Sequence, residues 1–89
     1  MTKKRKPSAV QRLILRRMLD GWELGLYGGL EAHVRIQQGG LGRGGQAETV
    51  HLNTFYSLHK NAWIEVAKDS YPVSPYRLTN LGRLVARES

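Results

Sequence analysis

The stretch "LHKNAWIEVAKDSYPVSPYRLTNLGR", residues 58–83, changes its hydrophobic period twice, and those changes decide the fold. Upstream of it, Leu52, Phe55, Leu58 and Ala62 recur at steps of three and four, the spacing of one helix face. Asn61 tolerates the left-handed conformation that closes a helix, so the helix is predicted over about 51–61. From Trp63 the pattern alternates: "WIEVA" (63–67) reads as a strand and "SPYRLT" (74–79) as its antiparallel partner. Between them "KDSYPV" supplies the Asp, Ser and Pro of a turn. Thr79 stands where an N-cap belongs, ahead of a last helix, "NLGRLVARE" (80–88). In that helix Leu81, Leu84 and Val85 are expected to face inward, and Gly82 to mark a close helix–helix contact.

Working outward towards the N-terminus, Ser8 and Gln11 have the three-residue spacing of a capping box. Val10, Leu13, Ile14 and Met18, with Leu15 and Leu19 on the adjacent stripe, follow at helical spacing until Asp20-Gly21 ends the run. "WELGLY" (22–27) and "EAHVRIQ" (31–37) flank Gly28-Gly29 as a second, N-terminal hairpin. Next comes a glycine-rich loop, 39–49, in which Gly40, Gly42 and Gly45 match G-x-G-x-x-G. A dinucleotide site needs a βαβ unit around that motif, and this chain is too short for the sheet. The glycines therefore read as a flexible hinge, with Arg43 at a mobile tip able to reach a phosphate or a partner. Residues 46–50, "QAETV", are also compatible with a turn of helix, which leaves the 41–50 segment open. The expected order is helix, hairpin, loop, helix, hairpin, helix: one α+β domain over 8–89 behind a flexible basic arm, 1–7.

Charge is distributed unevenly. The chain has 89 residues and a formal charge of +7. Residues 1–17 hold Lys3, Lys4, Arg5, Lys6, Arg12, Arg16 and Arg17 without one acid, and the basic and acidic residues after them cancel. Such an arm favours a polyanion, most often nucleic acid. There is no cysteine for disulfides or thiolate metal sites, and no apolar run reaches the roughly 20 residues that span a bilayer. The N-terminus lacks the apolar stretch of a secretory signal, so a cytoplasmic protein is expected, associated with the nucleoid if it binds DNA. His33, His51 and His59 form no metal motif, Ser57 and His59 are two apart and diverge on a helix, and no P-loop is present. Neither catalysis nor a cofactor is expected.

The run from Val50 to Arg83 resembles the winged-helix family, in particular its MarR- and PadR-type regulators. The residues that carry the likeness are Thr54, Leu58, Trp63-Ile64 and the wing exit Tyr76-Arg77-Leu78-Thr79-Asn80-Leu81-Gly82. One departure is Ala62, where glycine is usual after the recognition helix. A weaker resemblance is to the small YjhX-type proteins. The winged-helix likeness implies three helices, a C-terminal hairpin wing and, here, an extra N-terminal hairpin. It also implies a transcriptional regulator whose helix 51–61 enters the major groove of double-stranded DNA. On that reading Asn53 pairs with adenine, and His51, Thr54, Ser57 and Lys60 reach bases or phosphates. Lys68 and Arg77 touch the backbone from the wing, while Lys3, Lys4, Arg5, Lys6, Arg12 and Arg16 supply general attraction; Arg43, at the loop tip, is a further candidate for a phosphate. A homodimer is plausible for reading two half-sites, with Leu15, Leu19 and Trp22 at its interface. The competing expectation is a protein-interaction module, an inhibitor or assembly factor, whose arm meets an acidic partner or RNA. It follows from a recognition helix with one lysine and no arginine.

Overall fold

Ser8 opens helix α1 (Ala9–Leu19) by a reciprocal cap: its Oγ accepts the Gln11 N–H at 3.2 Å, and Gln11 Oε1 accepts the Ser8 N–H at 2.8 Å. The helix closes in a Schellman motif, where the Gly21 N–H donates to Met18 O and the Trp22 N–H to Arg17 O, with Gly21 at φ 99°. The computed structural model describes residues 6–88, so most of the 1–7 arm lies outside the described residues. After α1 come β1 (Glu23–Tyr27), β2 (His33–Gln37), β3 (Ala47–Val50), α2 (Leu52–Lys60), β4 (Ile64–Val66), β5 (Val73–Leu78) and α3 (Asn80–Glu88).

Helix α2 ends in the same motif as α1. The Ala62 N–H donates to His59 O and the Trp63 N–H to Leu58 O, and Ala62 itself takes φ 60°. The left-handed residue is thus Ala62 and not Asn61, whose φ is −79°. Both tryptophans follow directly on a left-handed residue, Trp22 after Gly21 and Trp63 after Ala62. A left-handed alanine carries a steric cost of about 1–2 kcal/mol, partly offset because glycine loses more entropy on folding. Ala62→Gly is therefore expected to stabilise the fold by up to about 1 kcal/mol, read as a rise in urea midpoint at unchanged m-value.

All five strands join one antiparallel sheet in the order β3-β2-β1-β5-β4. Registers Leu24↔Ile36, Val34↔Val50 and Ile64↔Leu78 put these six side chains on one face. That face meets Ile14, Leu15 and Met18 of α1, Phe55 and Leu58 of α2, and Val85 and Ala86 of α3 in a single buried core. The opposite face carries Tyr27, His33, Arg35, Thr49 and Arg77, and no helix of the described residues packs on it. Leu41, reaching over from the β2–β3 connection, covers Gly25 there.

Several expectations change. The 41–50 segment contains no helix; its second half is strand β3, paired Arg35↔Thr49 and Ile36↔Glu48, so the glycine-rich connection ends at Gln46. Three strands therefore stand between α1 and α2. In α1 the buried stripe is Ile14, Leu15 and Met18, while Val10 and Leu13 are 58% and 51% exposed. Of the three residues expected at a dimer interface, Leu15 is fully buried, while Leu19 and Trp22 are half-buried and pack against the core. In α3 the inward residues are Gly82, Val85 and Ala86, and Leu81 and Leu84 are exposed. Gly82 does mark a close approach, but to the backbone of Trp63 rather than to another helix.

Candidate nucleic-acid interface

Burying Phe55 and Leu58 turns the opposite side of α2 outward, and Asn53, Tyr56, His59 and Lys60 are exposed on it. Asn53, Tyr56 and Lys60 follow one another at i, i+3 and i+7, so they share a stripe. The sequence reading omitted Tyr56, whose position on that stripe was its signal. His51 sits at the N-cap without a side-chain capping bond and is exposed. His59 lies beside the Phe55 ring and edge-on to Tyr76, which fixes its imidazole at the flank of the helix.

Thr54 and Ser57 are placed differently. Ser57 Oγ accepts a hydrogen bond from Gln11 Nε2 at 2.7 Å and donates to Thr54 O at 2.8 Å. Gln11 thus caps α1 with its oxygen and braces α2 with its nitrogen. Beside this strut is a polar notch lined by Lys6, Gln11, Ser57, Lys60 and Asn61, with two ammonium groups on its rim. Arg12 and Arg16 are exposed further along α1. No carboxylate occurs between Lys6 and Leu19, nor between Thr49 and Ile64. Helices α1 and α2 therefore contribute cations, hydrogen-bonding groups and the exposed Val10, Leu13 and Tyr56 side chains to this surface, and no carboxylate of their own.

The remaining candidates sit elsewhere. Lys3, Lys4 and Arg5 lie outside the described residues. Lys68 is exposed in the β4–β5 turn. Arg77 donates from Nε to Glu65 Oε2 at 2.9 Å across the hairpin, a solvent-exposed pair of small energetic worth. Arg43 lies by the C-terminal end of α1, not with the α2 set: it shares a cleft with Trp22, Arg77 and Arg83. Arg17, which belonged to the basic N-terminal run, is engaged: NH1 meets Glu48 Oε2 at 2.6 Å, and its guanidinium carbon lies 4.5 Å over the Trp22 ring.

Tyr76 of β5 meets the Phe55 ring edge to face. Burial raises its pKa above the ordinary 10.0, and the nearby Asp69 charge adds to the rise. A raised folded-state value means that the stabilisation is fully present below pH 10 and is lost as pH rises through the folded pKa. Tyr76→Phe is accordingly expected to flatten the fall in melting temperature on the alkaline side of pH 10, checked by melts at half-unit pH steps.

Among the described residues no helix is long and apolar enough to cross a membrane, and no group of three His, Cys, Asp or Glu side chains is placed to hold a metal ion. No family model, curated protein or solved structure matches the chain.

Proposed function

We propose that the chain is a winged-helix-like protein that binds duplex DNA, in the manner of a transcriptional regulator, with α2 as the recognition helix and β4–β5 as the wing. The observation that carries this reading is the exposure of Lys6, Arg12, Arg16 and Lys60, together with the stripe Asn53-Tyr56-Lys60, on two helices that contribute no carboxylate. Phosphates attract such a surface whatever the sequence, and the stripe supplies groups able to read base edges. The order α2, β4, β5, α3 supports it, as does the left-handed Ala62 at the position that glycine usually fills in the family. Thr79 closes the unit: its Oγ1 donates to Ala62 O and accepts the Gly82 N–H. The helix that normally braces the recognition helix is replaced by β1–β3, and the Gln11–Ser57 bond to α1 takes over part of that support.

Fluorescence anisotropy with random duplex DNA across a salt series tests the proposal. If about five phosphates are neutralised, log K falls against log salt with a slope of about −4 to −5. The variant Arg12→Ala/Arg16→Ala/Lys60→Ala is expected to make that slope shallower by about 3 and to weaken binding more than about tenfold. Against a selected site, Asn53→Ala is expected to cost about 1–3 kcal/mol at one base position. An unchanged salt slope in the triple variant sinks the assignment of this surface.

A further inference from the structure

The glycine-rich connection between β2 and β3 is built rather than slack. The Glu23 carboxylate accepts the Leu41 N–H at 2.8 Å, Gln37 Oε1 accepts the Gly42 N–H at 2.9 Å, and Gln37 Nε2 donates to Gly45 O at 3.0 Å. Leu41 is seated on Gly25 of the sheet. So anchored, the loop does not leave Arg43 at a free tip. The Arg43 side chain folds back over Gly40, where a methyl group would meet its Cγ at 3.1 Å. It lines a cleft of about 480 Å³ where α1 ends and β1 begins.

Three arginines from three separate elements line this cleft: Arg43 from the loop, Arg83 from α3 and Arg77 from β5, whose Nε is bonded to Glu65. Glu23 is the one acidic lining residue, and its Oε1 is committed to the Leu41 amide. Trp22 and Leu78 are among its apolar lining residues. Arg17 stacks on the indole and is itself held by Glu48, which fixes the ring's orientation. Guanidinium forks match phosphate oxygens bidentately, a fixed indole offers a surface for a planar ring, and the second Glu23 oxygen accepts from a ring amine or a ribose hydroxyl. The volume falls within the range of small-molecule sites.

We propose that this cleft binds a free nucleotide, with its phosphates on Arg43, Arg77 and Arg83 and its base against Trp22. The site is separate from the α1–α2 surface: the polar notch meets α1 at Gln11 and the cleft meets it at Met18 and Leu19, about 11 Å further along the helix. Its chemistry also differs from a glycine cradle, because side-chain guanidinium groups take the place of backbone amides. The glycines serve to bend the loop so that Arg43 is aimed into the cleft.

Titration calorimetry and tryptophan fluorescence of the full chain, with ATP, GTP and inorganic pyrophosphate at 150 mM salt, test the proposal. Trp63 is only 3% exposed, so quenching by a bound base reports chiefly on Trp22. At least one nucleotide is expected to bind at least tenfold more tightly than pyrophosphate and to quench fluorescence saturably. Arg43→Ala and Arg83→Ala are each expected to weaken that binding at least tenfold while leaving circular dichroism and melting temperature unchanged, because both side chains are exposed. Pyrophosphate binding as tightly as the nucleotides would overturn the proposal, since the ring would then contribute nothing. Nucleotide affinity unchanged in the two variants would overturn it equally, placing the anion on the basic N-terminal run. Absence of heat and quenching at millimolar nucleotide would also end it.

Discussion

Gly82→Ala is expected to lower the melting temperature by more than about 12 °C, corresponding to about 3 kcal/mol or more at 4–8 °C per kcal/mol for a domain of this size. Helix propensity alone gives the opposite sign, since alanine in a helix interior is favoured over glycine by about 1 kcal/mol. The difference lies in Trp63. A Cβ on Gly82 would overlap the Trp63 carbonyl oxygen and press on its Cα. That carbonyl cannot turn away cheaply, because it accepts the Thr79 N–H at 3.0 Å and belongs to a residue whose indole is buried. Moving α3 instead breaks the Thr79 cap on Gly82 N–H and opens the core at Val85 and Ala86. Thermal melts of the two proteins decide between the signs. A variant that melts at or above the parent temperature refutes the close approach.

Gly45→Ala should be nearly as damaging, at about 2–3 kcal/mol, and through a different part of the molecule. Its Cβ would overlap the carbonyl oxygen of Gln38, whose N–H is bonded to Gln46 O where the β2–β3 connection closes. Separating the two chains costs that bond and the Gln37–Gly45 bond, and loosens the seat of Leu41 on Gly25. Limited trypsin digestion gives the readout, since Arg43 is the cleavable residue in the loop. Cleavage after Arg43 is expected to be slow in the parent chain and at least tenfold faster in the variant, measured well below the melting temperature. Equal rates would mean that the loop is as mobile as its glycine content suggests.

The elements were legible wherever one period or one cap dominates. Ser8 with Gln11, the alternation in 63–67 and 74–79 and the Thr79 cap all act through neighbours in sequence, and the structure has them where local chemistry puts them, while the Gly28-Gly29 turn widens to the five-residue connection 28–32. Strand β3 was illegible because Ala47-Glu48-Thr49-Val50 is short and has one fully buried residue, Val50; its strand character comes from pairing with β2. The burial stripes of α1 and α3 were misread for another reason. Each helix has apolar residues on more than one stripe, and the buried one is chosen by what packs on it: the common core for Ile14, Leu15, Met18, Val85 and Ala86, and the Trp63 backbone for Gly82.

In the candidate interface, the exposure of Asn53, Lys60, Arg12 and Arg16 followed from the helix periods. The engagement of Ser57 did not, because its partner Gln11 is 46 residues away. The meeting of Arg43, Arg77 and Arg83 was likewise beyond a linear reading, since three elements supply one side chain each. "DGW" and "NAW" are the same device, a left-handed residue that ends a helix and hands over to a tryptophan.

Strand β1 lies at the middle of the sheet, and its register with β5 joins Leu24 to Tyr76 and Tyr27 to Val73. During synthesis α1 and the first hairpin emerge before β5, so the central strand lacks one of its two neighbours until residue 78 has left the ribosome. The nascent chain must therefore keep Leu24 and Leu26 out of other associations until β5 arrives. Closure of the sheet is then a late, single event, and cutting the chain in the β4–β5 turn should yield two pieces that fold only in each other's company.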